Sequence, residues 1–162
     1  MEGTHDAPAL LPFALGRATL GHISSFDVGA RAVEYVSIAS DDLAKRVLRL
    51  RGSEREIGLR LEDGAHVHDG DVVYADATRV VAVAVAPDDV LVCRPRDVAQ
   101  ALAVAHALGN RHLPMQIDGP ALVVRYDRLV ADLFAELDAA YVREWRVLAA
   151  PFRHANAPHA HG

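Results

Sequence analysis

Beyond Pro87 the apolar residues change their period in a fixed order, and that order limits the chain to very few folds. "DVLVCRP" (89–95) reads as a strand. From Arg96 to Leu108 apolar residues recur at Val98, Ala101, Leu102, Ala105 and Leu108, the spacing of one helical face. Pro95 suits the first turn of that helix, and Gly109 is the expected left-handed cap at its end. A short extended piece, Met115–Ile117, leads into the Asp-Gly-Pro turn at 118–120 and the strand "ALVVR" (121–125). Asp127 can cap a second helix with Val130, Leu133, Phe134 and Leu137 on its apolar face, and "YVREWRVL" (141–148) closes as an alternating strand. The order β-α-β-β-α-β is a split βαβ, or ferredoxin-like, arrangement.

Upstream the texture is that of short strands. "VEYVSIA" (33–39), "RVLRLRG" (46–52) and "REIGLRLEDG" (55–64) alternate apolar and polar residues, and further strands fall near 71–75 and 79–85 around a turn at Asp76–Thr78. A small β-sandwich or open barrel follows. The expected fold class is α+β: an N-terminal β domain (1–86, its first thirty or so residues without pattern), a ferredoxin-like domain (87–149) and a flexible histidine-bearing tail (150–162).

Charge and composition remove several function classes. A net charge of -5 and the lack of a long basic run argue against a nucleic-acid partner. The amino terminus has no basic n-region or long apolar core, and the longest apolar run, from Val80, is too short to span a bilayer. One cysteine, Cys93, precludes an internal disulfide and fits a reducing compartment, so a cytoplasmic protein with no membrane partner is expected. No phosphate loop, dinucleotide fingerprint or nucleophile elbow occurs. Asp41–Asp42 and Asp88–Asp89 sit at element boundaries, where solvated or capping carboxylates are ordinary, and Cys93 lies among apolar neighbours as an inert buried thiol. An enzyme is not expected.

Metal binding is better supported. Nine histidines occur in 162 residues, with His154, His159 and His161 in the last nine. Neutral imidazole suits nickel, copper and zinc, and a pliable segment can wrap an ion without distorting a fold. "HVHDGD" puts His66 and His68 on one face if extended, although outward polar residues explain them equally well. His106 reads as a half-buried surface residue of the helix. His112 follows the helix end; alone it holds no ion tightly, but a two-fold axis would pair it with its own copy.

"ALGNRHLPMQI" (107–117) resembles the signature of the UreE-type urease accessory proteins: Gly-Asn-Arg-His, an apolar residue, Pro, and Gln shortly after, here Gly109 to Pro114 and Gln116. The alanine-rich helix before it, "VVRYDRLVADLFAELDA" after it, "APF" at 150–152 and "DGDVVYAD" upstream extend the likeness over roughly residues 33–162. Ala107 stands where many members have histidine, and Tyr126 and Arg128 where some carry more. The resemblance implies a nickel metallochaperone with a β-rich, peptide-binding-like first domain and a ferredoxin-like second domain that forms the homodimer. It implies Ni(II) bound by His112 from each subunit, with His154, His159 and His161 as further ligands and Zn(II) or Cu(II) as possible competitors. It implies delivery through the accessory GTPase to the urease apoprotein complex. Arg111 is expected to make a salt bridge or cap carbonyls at the helix end. The alternative is an interaction adaptor whose β domain binds an extended peptide, metal being incidental.

Overall fold

A computed structural model of the chain describes residues 13–152. The chain forms two compact units: one holds the residues up to Ile38 and Lys45–Ala84, the other Ala39–Ala44 and Val85 onward.

The first unit is built from two three-stranded sheets. β1 (Phe13–Gly16), β4 (Glu56–Arg60) and β3 (Val47–Arg51) form one, and β2 (Ala32–Ile38), β6 (Arg79–Val85) and β5 (Val72–Ala75) the other. Their alternation is the expected one: Leu48 and Leu50 of β3 are buried between exposed neighbours. The β5–β6 turn is closed by Asp76, whose carboxylate accepts from the backbone N–H of Thr78 (2.8 Å) and of Arg79 (2.9 Å). Within the first thirty residues, where the sequence shows no pattern, the described part from Phe13 on takes defined structure. β1 pairs in parallel with β4, and Ile23, Phe26 and Val28 pack on Val72, Val80 and Ala82.

The second unit runs β7 (Asp88–Cys93), α1 (Val98–Asn110), β8 (Met115–Asp118), β9 (Ala121–Arg125), α2 (Arg128–Glu136) and β10 (Tyr141–Arg146). The sheet order β10-β7-β9-β8, antiparallel throughout, is the ferredoxin-like topology. The central strands are almost continuously apolar because both sheet faces are covered. Leu91, Cys93, Leu122 and Val124 face the helices and meet Val104, Leu108, Val130, Leu133 and Phe134. Val90, Val92, Ala121 and Val123 face the other way, under Leu148 and Phe152.

Two sequence expectations about α1 are corrected. The helix starts after Asp97, whose side chain accepts from the Gln100 N–H (2.7 Å), so Pro95 lies outside its first turn. The buried face is Gln100, Val104 and Leu108, about a quarter-turn from the predicted one, leaving Val98 and Leu102 exposed. The alanines make α1 nearly as apolar all round, and one buried polar residue decides the face. The Gln100 amide donates to the carbonyls of Leu137 (3.0 Å) and Asp138 (2.8 Å) and accepts from the Arg96 N–H (2.9 Å), so it is fully satisfied. On α2, Val130, Leu133 and Phe134 are buried and Leu137 packs against them, as expected. A 3-10 turn at Ser40–Ala44, which the alternation does not reveal, also belongs to this unit.

Candidate metal centre

His112 sits at the end of α1 in a conformation that side-chain-bearing residues seldom take. Gly109 is not the left-handed cap: it and Asn110 lie inside the helix, and Arg111 is the C-cap. The positive φ, 54°, belongs to His112. The His112 N–H donates to the Gly109 carbonyl (2.9 Å) and the Leu113 N–H to the Leu108 carbonyl (3.2 Å). These two bonds and the apolar contact of Leu113 with the cluster around Leu108 make a Schellman motif with histidine where glycine is usual. An L side chain in this region costs roughly 1–2 kcal/mol. The geometry turns the His112 imidazole out of the helix, and the residue is exposed. Asp138 closes α2 in the same way at φ 51°.

Most of the other motif residues make a local contact. Arg111 donates to the Ala107 carbonyl (3.1 Å), capping the last turn as expected. The Asn110 side-chain nitrogen lies 2.9 Å from Nε2 of His106, which is exposed, not half-buried. Pro114 disfavours helical backbone at Leu113 and directly precedes β8. Gln116 donates to the carbonyl of Ala150. Gly109 differs from these, since a Cβ there would meet nothing within 4 Å. Beside His112, a shallow cleft of about 190 Å³ is lined by Leu113, Pro114, Tyr126 and Asp127 among others. Leu129, on the first turn of α2, is 76% exposed.

The remaining candidates separate cleanly. Among the described residues no three His, Cys, Asp or Glu side chains come together to hold a metal ion. His66 and His68 lie outside any strand, and the His68 N–H donates to Asp71 (2.8 Å). His154, His159 and His161 lie outside the described residues. The carboxylate pairs are not simply solvated. Asp41 and Asp88 ion-pair with Arg125 (2.7 and 3.3 Å), and Arg143 donates twice to Asp89 (2.9 and 2.6 Å), holding its carboxyl below the usual range. Cys93 is fully buried, and that burial pushes its thiol up. A thiol-alkylating reagent is therefore expected to label Cys93 only after denaturation; rapid labelling of the native protein would contradict this placement. No helix of the described residues is long and apolar enough to cross a membrane.

Residues 17–86 match the family model described as UreE urease accessory protein, N-terminal domain, and residues 88–162 that of the C-terminal domain. Three curated relatives, each named urease accessory protein UreE, give the degree of likeness. The chain is 38% identical to one from a Bacillus species over 135 residues, 83% of this chain and 91% of the relative. It is 42% identical to one from Corynebacterium efficiens over 128 residues, 78% and 86% of the two. It is 38% identical to one from Geobacillus kaustophilus over 141 residues, 86% and 95%.

Proposed function

The chain belongs to the UreE family of urease accessory proteins, and from that premise we propose that it is a cytoplasmic nickel carrier which turns over no substrate. It binds Ni(II) between two copies of itself, with the accessory GTPase and the urease apoprotein complex as recipients. The observation that carries this reading is the exposed His112 imidazole, held in a costly left-handed conformation for which the fold itself needs only glycine.

One imidazole per chain is too few donors, so the ion needs a second copy. Three surface features of the same unit support a two-fold contact that includes His112. Leu129 and Tyr126 leave apolar surface to be covered, the cleft beside Pro114 can receive it, and Gly109 allows a backbone to approach closely. The paired His112 imidazoles form the core of the site, and His154, His159 or His161 complete it. Tail ligands let the ion leave stepwise, as a carrier requires. Imidazole donors bind copper more tightly than nickel, so delivery to the right recipient rests on partner contacts and metal supply.

Imidazole binds metal only when unprotonated, so affinity is expected to fall as pH drops through about 6.5, the ordinary histidine range. Nickel titrations of the full chain at pH 7.5 and 5.5 check this. Equal affinity at both values would sink a histidine-only site.

A further inference from the structure

The first helix keeps an apolar face that its own unit does not cover. In its 13 residues α1 carries no Asp, Glu, Lys or Arg, whereas α2 sets Arg128, Asp132 and Glu136 in water. Gln100, Val104 and Leu108 fix the buried side of α1, so Val98 (75% exposed) and Leu102 (66%) project outward together with Ala99 and Ala103. Val98 and Leu102 are four residues apart and therefore neighbours on the helix surface. Ile117 of the edge strand β8, 73% exposed, lies on the same side of the sheet, because it pairs with Leu122 of the helix-side cluster. Asp97 precedes the face, and His106 and Asn110 follow it. An apolar centre with a polar rim is the anatomy of a docking surface.

A second copy seated about His112 does not reach this face. A contact of ordinary size buries about 800 Å² on each copy, a disc of about 16 Å radius. Leu102 and Val98 precede His112 by ten and fourteen residues. At about 1.5 Å per residue they lie about 15 and 21 Å from it along the helix. The face begins where such a contact ends and stays open in the pair. A membrane surface is a poor occupant, since helices that lie on membranes carry Lys or Arg on their polar side and α1 has none. The lack of charge also sets the chemistry of the partner. A charged group brought against Val98 and Leu102 would lose its water and gain no counter-ion.

We infer that the first two turns of α1, through Val98 and Leu102, dock an uncharged apolar surface of the protein that receives the nickel. The inference rests on the proposed carrier function. A recipient seated there stands about 15–21 Å from His112 and leaves the two-fold contact intact, so each copy offers one docking face.

The test is calorimetric titration of the urease accessory GTPase into the full chain, for the wild type, for Val98→Glu with Leu102→Lys, and for Leu102→Met. The double change sets opposite charges four residues apart, which suits a helix, and leaves the net charge at -5. Docking on α1 predicts that it weakens GTPase binding at least about tenfold. Nickel affinity and the mass in solution stay those of the wild type, and Leu102→Met binds the GTPase normally. Unchanged GTPase binding in the double variant would overturn the inference. So would a fall in its mass, since a second copy would then be what covers the face. If the wild type does not bind the GTPase, the recipient is wrong and the docking face falls with it. Nickel binding by that same sample, and its loss in His112→Ala, report separately on the metal site.

Discussion

His112→Gly is expected to abolish tight nickel binding while leaving the folded chain at least as stable as the wild type. Both halves follow from the same geometry. Glycine is the preferred residue at the left-handed position of a Schellman motif, so the substitution removes the steric cost at φ 54°. Glycine also has more freedom to lose on folding, which takes back part of the gain. The net change is expected to lie between zero and about 1 kcal/mol in favour of the variant. The hydrogen bonds of the motif use only backbone atoms and persist. The imidazole does not. Disturbing an outer-shell partner of a metal ligand already costs about 10- to 100-fold in affinity; losing two direct ligands, one from each copy, should cost more. Urea unfolding and nickel titration of the same preparation check the two halves together. A variant that unfolds more readily would mean that the imidazole serves the fold.

The second large effect is on the core beneath that helix. Phe134 is fully buried, lies 5.6 Å from the Tyr141 ring, and belongs to the cluster that includes Val104 and Leu108 of α1. Phe134→Ala is expected to cost about 3–5 kcal/mol, the sum of lost transfer energy and an unfilled cavity. For a fold stabilised by about 5–15 kcal/mol that is a large share. Denaturant unfolding reads it directly, and a loss below about 1 kcal/mol would contradict the packing. Because the same cluster seats the last turn of α1, the variant should also bind nickel less well even at temperatures where it stays folded.

The second unit was largely legible before its structure, for a physical reason. Its strands and helices are short, regular and consecutive, so period alone orders them. α2 read correctly because Val130, Leu133 and Phe134 stand against charged neighbours such as Arg128, Asp132 and Glu136. α1 did not, because alanine leaves the two faces nearly alike and Gln100 chose between them through carbonyls at the end of α2. The same limit applies to β1, whose parallel pairing with β4 is a contact across some forty residues that no local pattern announces. The alternation of 141–148 runs two residues past the strand, which ends at Arg146; the residues after it pack as irregular chain, held by Leu148, Phe152 and the Ala150 carbonyl.

At the site, the sequence singled out His112 but gave Gly109 the cap that His112 itself forms. Glycine is the usual occupant of that position, so propensity pointed three residues too early. Arg125 carried no signal of its own, and Phe152 stood out only as part of the "APF" stretch, without a role. Arginine beside an apolar strand reads as a solvated end, and only the fold brings Asp41, Ser40 and Asp88 around it.

The most direct test of the nickel carrier is the number of ions bound per chain, measured by calorimetric titration with the mass in solution determined alongside, for the wild type and for His112→Ala. One ion per two chains in the wild type, with tight binding gone in His112→Ala, is the expected result. Wild-type affinity in His112→Ala would remove the interfacial site and leave a peptide-binding adaptor as the better account of this fold.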